Sequence, residues 1–199
     1  GMLLADVIDG IDRVAALLPG AEARLERCRT IRERSIGRHA EAWQEAIRYV
    51  GRAPHYGKMT LSPREGLVPL HVDPESDLQE FWHVESGARP EWNEDTERWI
   101  IRPETGLVFV LLPKGSFEMG ATPQVERVRA HQTSELPRHE VALEAFFLSK
   151  YEITQAQWKR LAGANPSVFA DGYRHPVTGA VIVQATNPVE GVRHDVATR

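Results

Sequence analysis

The spacing of apolar residues divides the chain into two textures. Up to about residue 50, apolar positions recur at helical intervals. Ile8, Ile11, Val14, Ala15 and Leu18 form one series, which predicts a helix over residues 3–18, ended by Pro19-Gly20. Leu25, Cys28 and Ile31 form a second stripe, and Ile36, Ala40, Trp43, Ile47 and Val50 a third. These predict a helix over residues 21–50 that kinks or splits near Ser35-Ile36-Gly37, because glycine costs about 1 kcal/mol inside a helix. Thr30 with Glu33 reads as a capping box for the second piece.

Beyond residue 51 the helical spacing gives way to short segments punctuated by proline, including Pro54, Pro63, Pro69 and Pro74. Strands are expected at 67–72 and 99–102. Residues 76–84 are ambiguous: Ser76 and Gln79 suit a capping box, whereas Phe81-Trp82-His83-Val84 suits a strand. Pro103-Glu104-Thr105-Gly106 has turn chemistry and is expected to join 99–102 to 107–112 as a hairpin. The run 107–112 is apolar without alternation, which predicts a strand buried on both faces. Residues 121–136 are polar, at a length that in a compact domain goes with function or mobility. Residues 139–148 are extended. Thr154 and Gln157 form a capping box that opens a helix through Trp158 and Leu161, stopped by Gly163. Val181-Ile182-Val183 reads as a short strand.

Composition changes this picture little but narrows the function classes. The chain has 199 residues, 42% of them hydrophobic, and a formal charge of −4. That balance gives no footprint for nucleic acid or an anionic membrane, and no apolar run reaches the roughly 20 residues a bilayer needs. No signal peptide is read, and Gly1-Met2 reads as a tag residue before the natural initiator, so the expected localisation is cytoplasmic. The single cysteine, Cys28, allows neither an internal disulfide nor a Cys-paired metal site within this chain, and its place on an apolar stripe predicts packing. The arginines between Arg24 and Arg38 read as a solvated helix face laced with Glu22, Glu26 and Glu33, rather than a docking face for an acidic partner.

Two groups of side chains have the composition of metal sites. His131, Glu135 and His139 lie in and after the polar loop; His71 and Asp73, with His83, form the second. In neither does the spacing impose a common face, and structure is the stronger reading of both. Trp82, Trp92 and Trp99 read as packing, with a sugar-binding platform as the functional alternative. No phosphate-binding glycine loop, nucleophile elbow or paired-carboxylate motif is present.

From Gly106 onward the pieces stand in an order that resembles the formylglycine-generating enzyme family, also called the sulfatase-modifying-factor domain. They are the strand and turn from Val108 to Gly115, Phe117-x-Met119-Gly120, and Glu135-x-Pro137-x-His139-x-Val141. There follow Phe147-x-x-x-Tyr151-Glu152-Ile153-Thr154 with Gln157, then Asn165-Pro166 and Asn187-Pro188-Val189. After Val189 the match decays, with Val192-Arg193-His194-Asp195 where the family has a Val-Ser-Trp piece. Residues 66–106 also resemble the segment that precedes this domain in some bacterial multidomain proteins.

The resemblance implies an α+β fold: an N-terminal helical segment (1–51), a Pro-rich segment with short strands (52–105), and a partial C-type-lectin-like domain (106–199). It also implies that the copper cysteines and calcium ligands of the oxidases lie in a second half that this chain lacks. No catalytic, cofactor-binding or metal residue is therefore assigned here, although family relatives use copper, calcium or iron. The expected function is a sulfatase-modifying-factor-like binding or assembly module without formylglycine-generating oxidase activity. One alternative is part of a formylglycine-generating or iron-dependent sulfoxide synthase-type enzyme completed by a downstream polypeptide; another is a lectin-like ligand-binding module. The greasy strand at 107–112 would need cover from the N-terminal helices, the middle segment, a second copy in a homodimer, or another protein partner, since leaving it half bare costs several kcal/mol at about 25 cal/mol per Å².

Overall fold

In a computed structural model of the chain, residues 2–120 and 137–197 are described, with residues 2–14 and 16–18 described through their backbone alone. Helix α1 (Met2–Ser35) runs unbroken through Pro19 and Gly20, where the sequence predicts an end. It stops instead at Ser35, whose hydroxyl donates back to the Ile31 carbonyl and accepts the Gly66 backbone N–H. A 3₁₀ turn, Gly37–His39, then leads into α2 (Ala40–Arg52), so the split falls at the predicted Ser35–Gly37 break. Thr30 caps nothing. It lies inside α1 and its hydroxyl is taken up by the Glu26 carbonyl at 2.8 Å, the local back-bond that competes with capping.

Among the described residues eight strands follow: β1 (Leu67–Val72), β2 (Gln79–His83), β3 (Glu91–Asn93), β4 (Arg98–Ile100), β5 (Val108–Leu112), β6 (Gly115–Met119), β7 (His139–Leu143) and β8 (Phe146–Ser149). An antiparallel sheet has the order β1-β2-β5-β8, while β3-β4 and β6-β7 are separate two-stranded ribbons. The ambiguous segment 76–84 resolves in favour of the strand, because Ser76 closes a turn on Asp73 instead of capping a helix. The hairpin expected between 99–102 and 107–112 does not form. The 102–105 turn is present, with Thr105 N–H on the Arg102 carbonyl, but β4 pairs with β3 through Trp92 and Trp99 and β5 lies between β2 and β8. The turn shares the right local chemistry with a hairpin; strand partners are chosen by side-chain packing that local sequence does not encode. Gly106 allows the close approach there, since a Cβ would stand 2.6 Å from Trp82 Nε1. Val181 makes an isolated bridge to Arg174 and not the strand expected at 181–183.

The core lies between α2 and one face of the sheet. Trp43, Ala46 and Val50, spaced at helical intervals on α2, meet Phe81 of β2, Leu111 of β5, Tyr56 and Leu61. Trp43 and Phe81 pack with ring centroids 5.6 Å apart, and Phe147 of β8 meets Phe81 edge-on at 5.1 Å. Tyr56 buries its ring in this cluster and uses its hydroxyl twice, donating to the Leu111 carbonyl and accepting from Gln79 N–H. Burial pushes its pKa up to about 12, so it stays a donor. The apolar strand β5 is thus covered on this face by the chain's own second helix. Helix α3 (Gln155–Ala162) starts on the predicted capping box, with Thr154 and Gln157 bonded in both directions, and ends on Gly163 in the left-handed region. A last short helix, α4 (His194–Ala197), closes an α+β architecture with helices first and antiparallel sheets after. Among the described residues no helix is long and apolar enough to cross a membrane.

Candidate functional site

The sheet's other face carries a buried polar cluster. Strand geometry turns alternate residues to opposite faces, so Phe81 enters the apolar core while Glu80 points away from it. Glu80 is fully buried. Its carboxylate accepts the Trp99 Nε1–H at 2.6 Å and the ammonium of Lys150. Lys150, just after β8, donates as well to Asp73 at 2.8 Å. Asp73 opens the turn after β1 and is held by the backbone N–H and hydroxyl of Ser76. This one ammonium ties the end of β8 to the β1–β2 hairpin, whose Asp73 and Glu80 lie 77 and 70 residues earlier in the chain.

His71 completes the cluster through an irregularity in β1. The β1–β2 register slips between Pro69 and Val72, and His71 stands in the slip. Proline has no N–H for the ladder, and a bulge beside it re-aims the following side chains. The imidazole stacks on Trp99 at 4.5 Å and meets the edge of Trp92 at 3.8 Å. Its Nε2 is buried without a hydrogen-bond partner, 4.0 Å from Glu80 Oε2.

The electrostatics argue against proton transfer at neutral pH by the charged members. Burial alone would depress Lys150, but its hydrogen bonds to Asp73 and Glu80 prevail and raise its pKa, so it stays an ammonium. Burial alone would raise Asp73, but Lys150 and Ser76 hold it below the ordinary carboxylate range. His71 is lowered by burial, against the pull of Glu80, and is neutral at pH 7. Tyr151 is raised by burial, with Lys150 opposing. The Trp99 backbone amide lies near the Tyr151 hydroxyl, but the geometry does not close a hydrogen bond.

A cavity of about 580 Å³ opens beside this cluster, reached past Asp73, Glu97, Arg98, Lys150 and Tyr151. A wider one, about 820 Å³, lies beside α3. Its Arg160 is already bound to the Ser86 and Pro103 carbonyls, so it offers less unspent polarity than its size suggests. The smaller cavity is the one that borders the perturbed groups, and it is the better candidate site.

The sequence-predicted groups fare differently. His71 and Asp73 come together, whereas His83 packs against Phe109 instead. Its Nδ1 is buried and unpaired, and burial lowers its pKa. His131 and Glu135 lie outside the described residues. His139 is exposed at the start of β7, its Nδ1 2.8 Å from the Pro137 carbonyl. Among the described residues no three of His, Cys, Asp and Glu converge on a metal position. Trp99 is buried, Trp92 half-buried beside it, and Trp82 donates to the Gly87 carbonyl. Cys28 is exposed, contrary to the packing expected of it, because its length of α1 stands away from the core. It lines a 480 Å³ groove with Arg24, Arg27, Glu65 and Glu85. Sequence reasoning missed Glu80 and Lys150. A signal existed: a lone acid within Gln79-Glu80-Phe81-Trp82 is costly to bury unless a cation meets it.

No curated protein and no solved structure matches the chain. Residues 102–198 match the family model described as the sulfatase-modifying factor enzyme 1-like domain. The match begins at the turn that precedes β5 and takes in β8, Lys150 and the capped helix α3, so one side of the polar cluster lies within it and the other, Asp73 and Glu80, before it. Over these residues, just under half of the chain, the protein is similar to the sulfatase-modifying factor family.

Proposed function

We propose that this chain is a binding or assembly module on a sulfatase-modifying-factor scaffold of the C-type-lectin-like kind, and not a formylglycine-generating oxidase by itself. The observation that carries the reading is the state of the charged groups at the cavity. Lys150 is clamped between Asp73 and Glu80, and Glu80 also holds Trp99. An ammonium kept protonated is no nucleophile, and Asp73, kept ionised by it, is a weak base. Such a set orients and holds; it does not transfer protons near pH 7.

Copper chemistry of the family's oxidases needs two thiolates. This chain has one cysteine, Cys28, which is exposed beside Arg24 and Arg27 and lies before the family match. The residues described do not fit a copper–thiolate pair. The test is direct. The purified chain is incubated with copper, oxygen and a cysteine-containing sulfatase peptide, and the peptide is weighed by mass spectrometry. No formylglycine is expected; conversion above a metal-only control would overturn the reading.

A further inference from the structure

We propose that α1 pairs with α1 of a second copy of this chain as an antiparallel coiled coil. The sequence splits this region at Pro19-Gly20, but the helix continues through it, and continuity joins two stripes into one register. Counting by sevens along the unbroken helix puts Leu4, Ile11, Leu18 and Leu25 at equivalent positions. Three residues after each come Val7, Val14, Ala21 and Cys28. A strict seven-residue repeat over four heptads marks a narrow seam that another helix fills, not the broader stripe of a helix lying on a globular core. Pro19 and Gly20 fall outside that seam.

From residue 19 until its last turns the helix also lacks cover from its own chain. From residue 19 to residue 29 every position is exposed, including Leu25 at 50%. Ion pairs from Arg27, Arg32 and Arg34 to Glu65 and Glu85 hold only its last turns. A projecting helix of 34 residues, about 50 Å long, with Pro-Gly near its middle has little stability alone in water. Burying the seam supplies what the isolated helix lacks.

Two features select the antiparallel arrangement. Reversing one helix pairs each large seam residue with a smaller or β-branched one: Leu4 with Cys28, Val7 with Leu25, Ile11 with Ala21, Val14 with Leu18. Parallel pairing would instead alternate leucine or isoleucine layers with thin Ala21 and Cys28 layers, and evenly filled layers pack better. Parallel pairing also sets Arg24 of one helix against Arg29 of the other, a like-charge contact that the reversed pair avoids. This inference concerns α1 and stands or falls apart from the cavity.

The test uses the full chain in sedimentation velocity, with disulfide trapping for orientation. The wild-type chain is expected to sediment at twice the monomer mass at micromolar concentration. Ile11→Glu/Leu25→Glu should weaken association by at least about a hundredfold, with the thermal transition of the remainder unchanged as a check that it still folds. Under a mild oxidant, Leu4→Cys should give a disulfide-linked dimer through Cys28 of the second copy, while the wild-type chain gives none. A wild-type monomer throughout the concentration range overturns the proposal, as does a double variant that still dimerises. Efficient wild-type cross-linking through Cys28 overturns the antiparallel register.

Discussion

Strand β2 shows one face to hydrocarbon and the other to charge. On one side Phe81 meets Trp43, Leu111 and Phe147 in a dry core. On the other, Glu80, its neighbour in the chain, is equally buried but bonded to Trp99 and Lys150. Both faces tie distant parts of the chain together. The apolar face does so by burying area, which no single partner determines. The polar face does so through a few directed bonds, each of which leaves an uncompensated charge if its partner is lost. The first kind of face holds the fold under all conditions in which the chain stays dry inside. The second is sensitive to pH and to single substitutions, and it borders the cavity.

Truncating the apolar face should have the largest effect. Phe81→Ala is expected to lower unfolding stability by about 3–5 kcal/mol, measured by urea denaturation, and by nearly the same amount at pH 4 and pH 7. Lys150→Met should cost about 3 kcal/mol at pH 7, because it leaves Asp73 and Glu80 facing each other without a cation. Its dependence on pH separates it from the core variant. Asp73 is depressed when folded, so its share of the wild-type stability is present above its ordinary 3.8 and fades as pH falls through the lower folded value. Lys150 is raised, so its share is present below 10.5 and fades as pH rises past the higher folded value. The gap between wild type and Lys150→Met should therefore narrow in acid and again in strong alkali. A gap that stays constant from pH 3 to pH 7 would mean that the two faces are energetically alike.

The smallest effect belongs to His71. Its lowered pKa means the folded state resists the proton, so wild-type stability should fall as pH drops below 6.5 toward the folded value. His71→Phe keeps the stack on Trp99 and removes the titration, and its melting temperature should decline less between pH 7 and pH 5 than that of the wild type. Parallel declines in the two proteins would assign the acid sensitivity to His83 and His39, which burial also lowers.

Much of the local structure was legible before any coordinates. The α2 stripe, the Ser35–Gly37 break, strand 67–72 and the box at Thr154 and Gln157 all follow from periodicities and side-chain-to-backbone bonds within a few residues, whereas the extended stretch expected over 139–148 divides into β7 and β8, which join different sheets. The candidate site was half legible. His71 and Asp73 could be listed as titratable neighbours, but Lys150 lies 77 residues from Asp73 and 70 from Glu80 in the chain, and no local rule brings it to them. The errors have the same source. The capping boxes at Thr30 and Ser76 and the hairpin at 99–112 have suitable local chemistry. They lost to a longer helix, to a turn on Asp73 and to other strand partners.

The sequence by itself determined the types of most elements, the likeness of residues 102–198 to the sulfatase-modifying factor family and the limit that one cysteine sets on thiolate chemistry. These depend on residue identity and short spacings, which folding does not alter. The tertiary structure alone decided which face of β2 each neighbour occupies, that α2 covers β5, and that Lys150 is held between two carboxylates. Those outcomes rest on contacts between residues far apart in the chain, where packing and desolvation outweigh local preference.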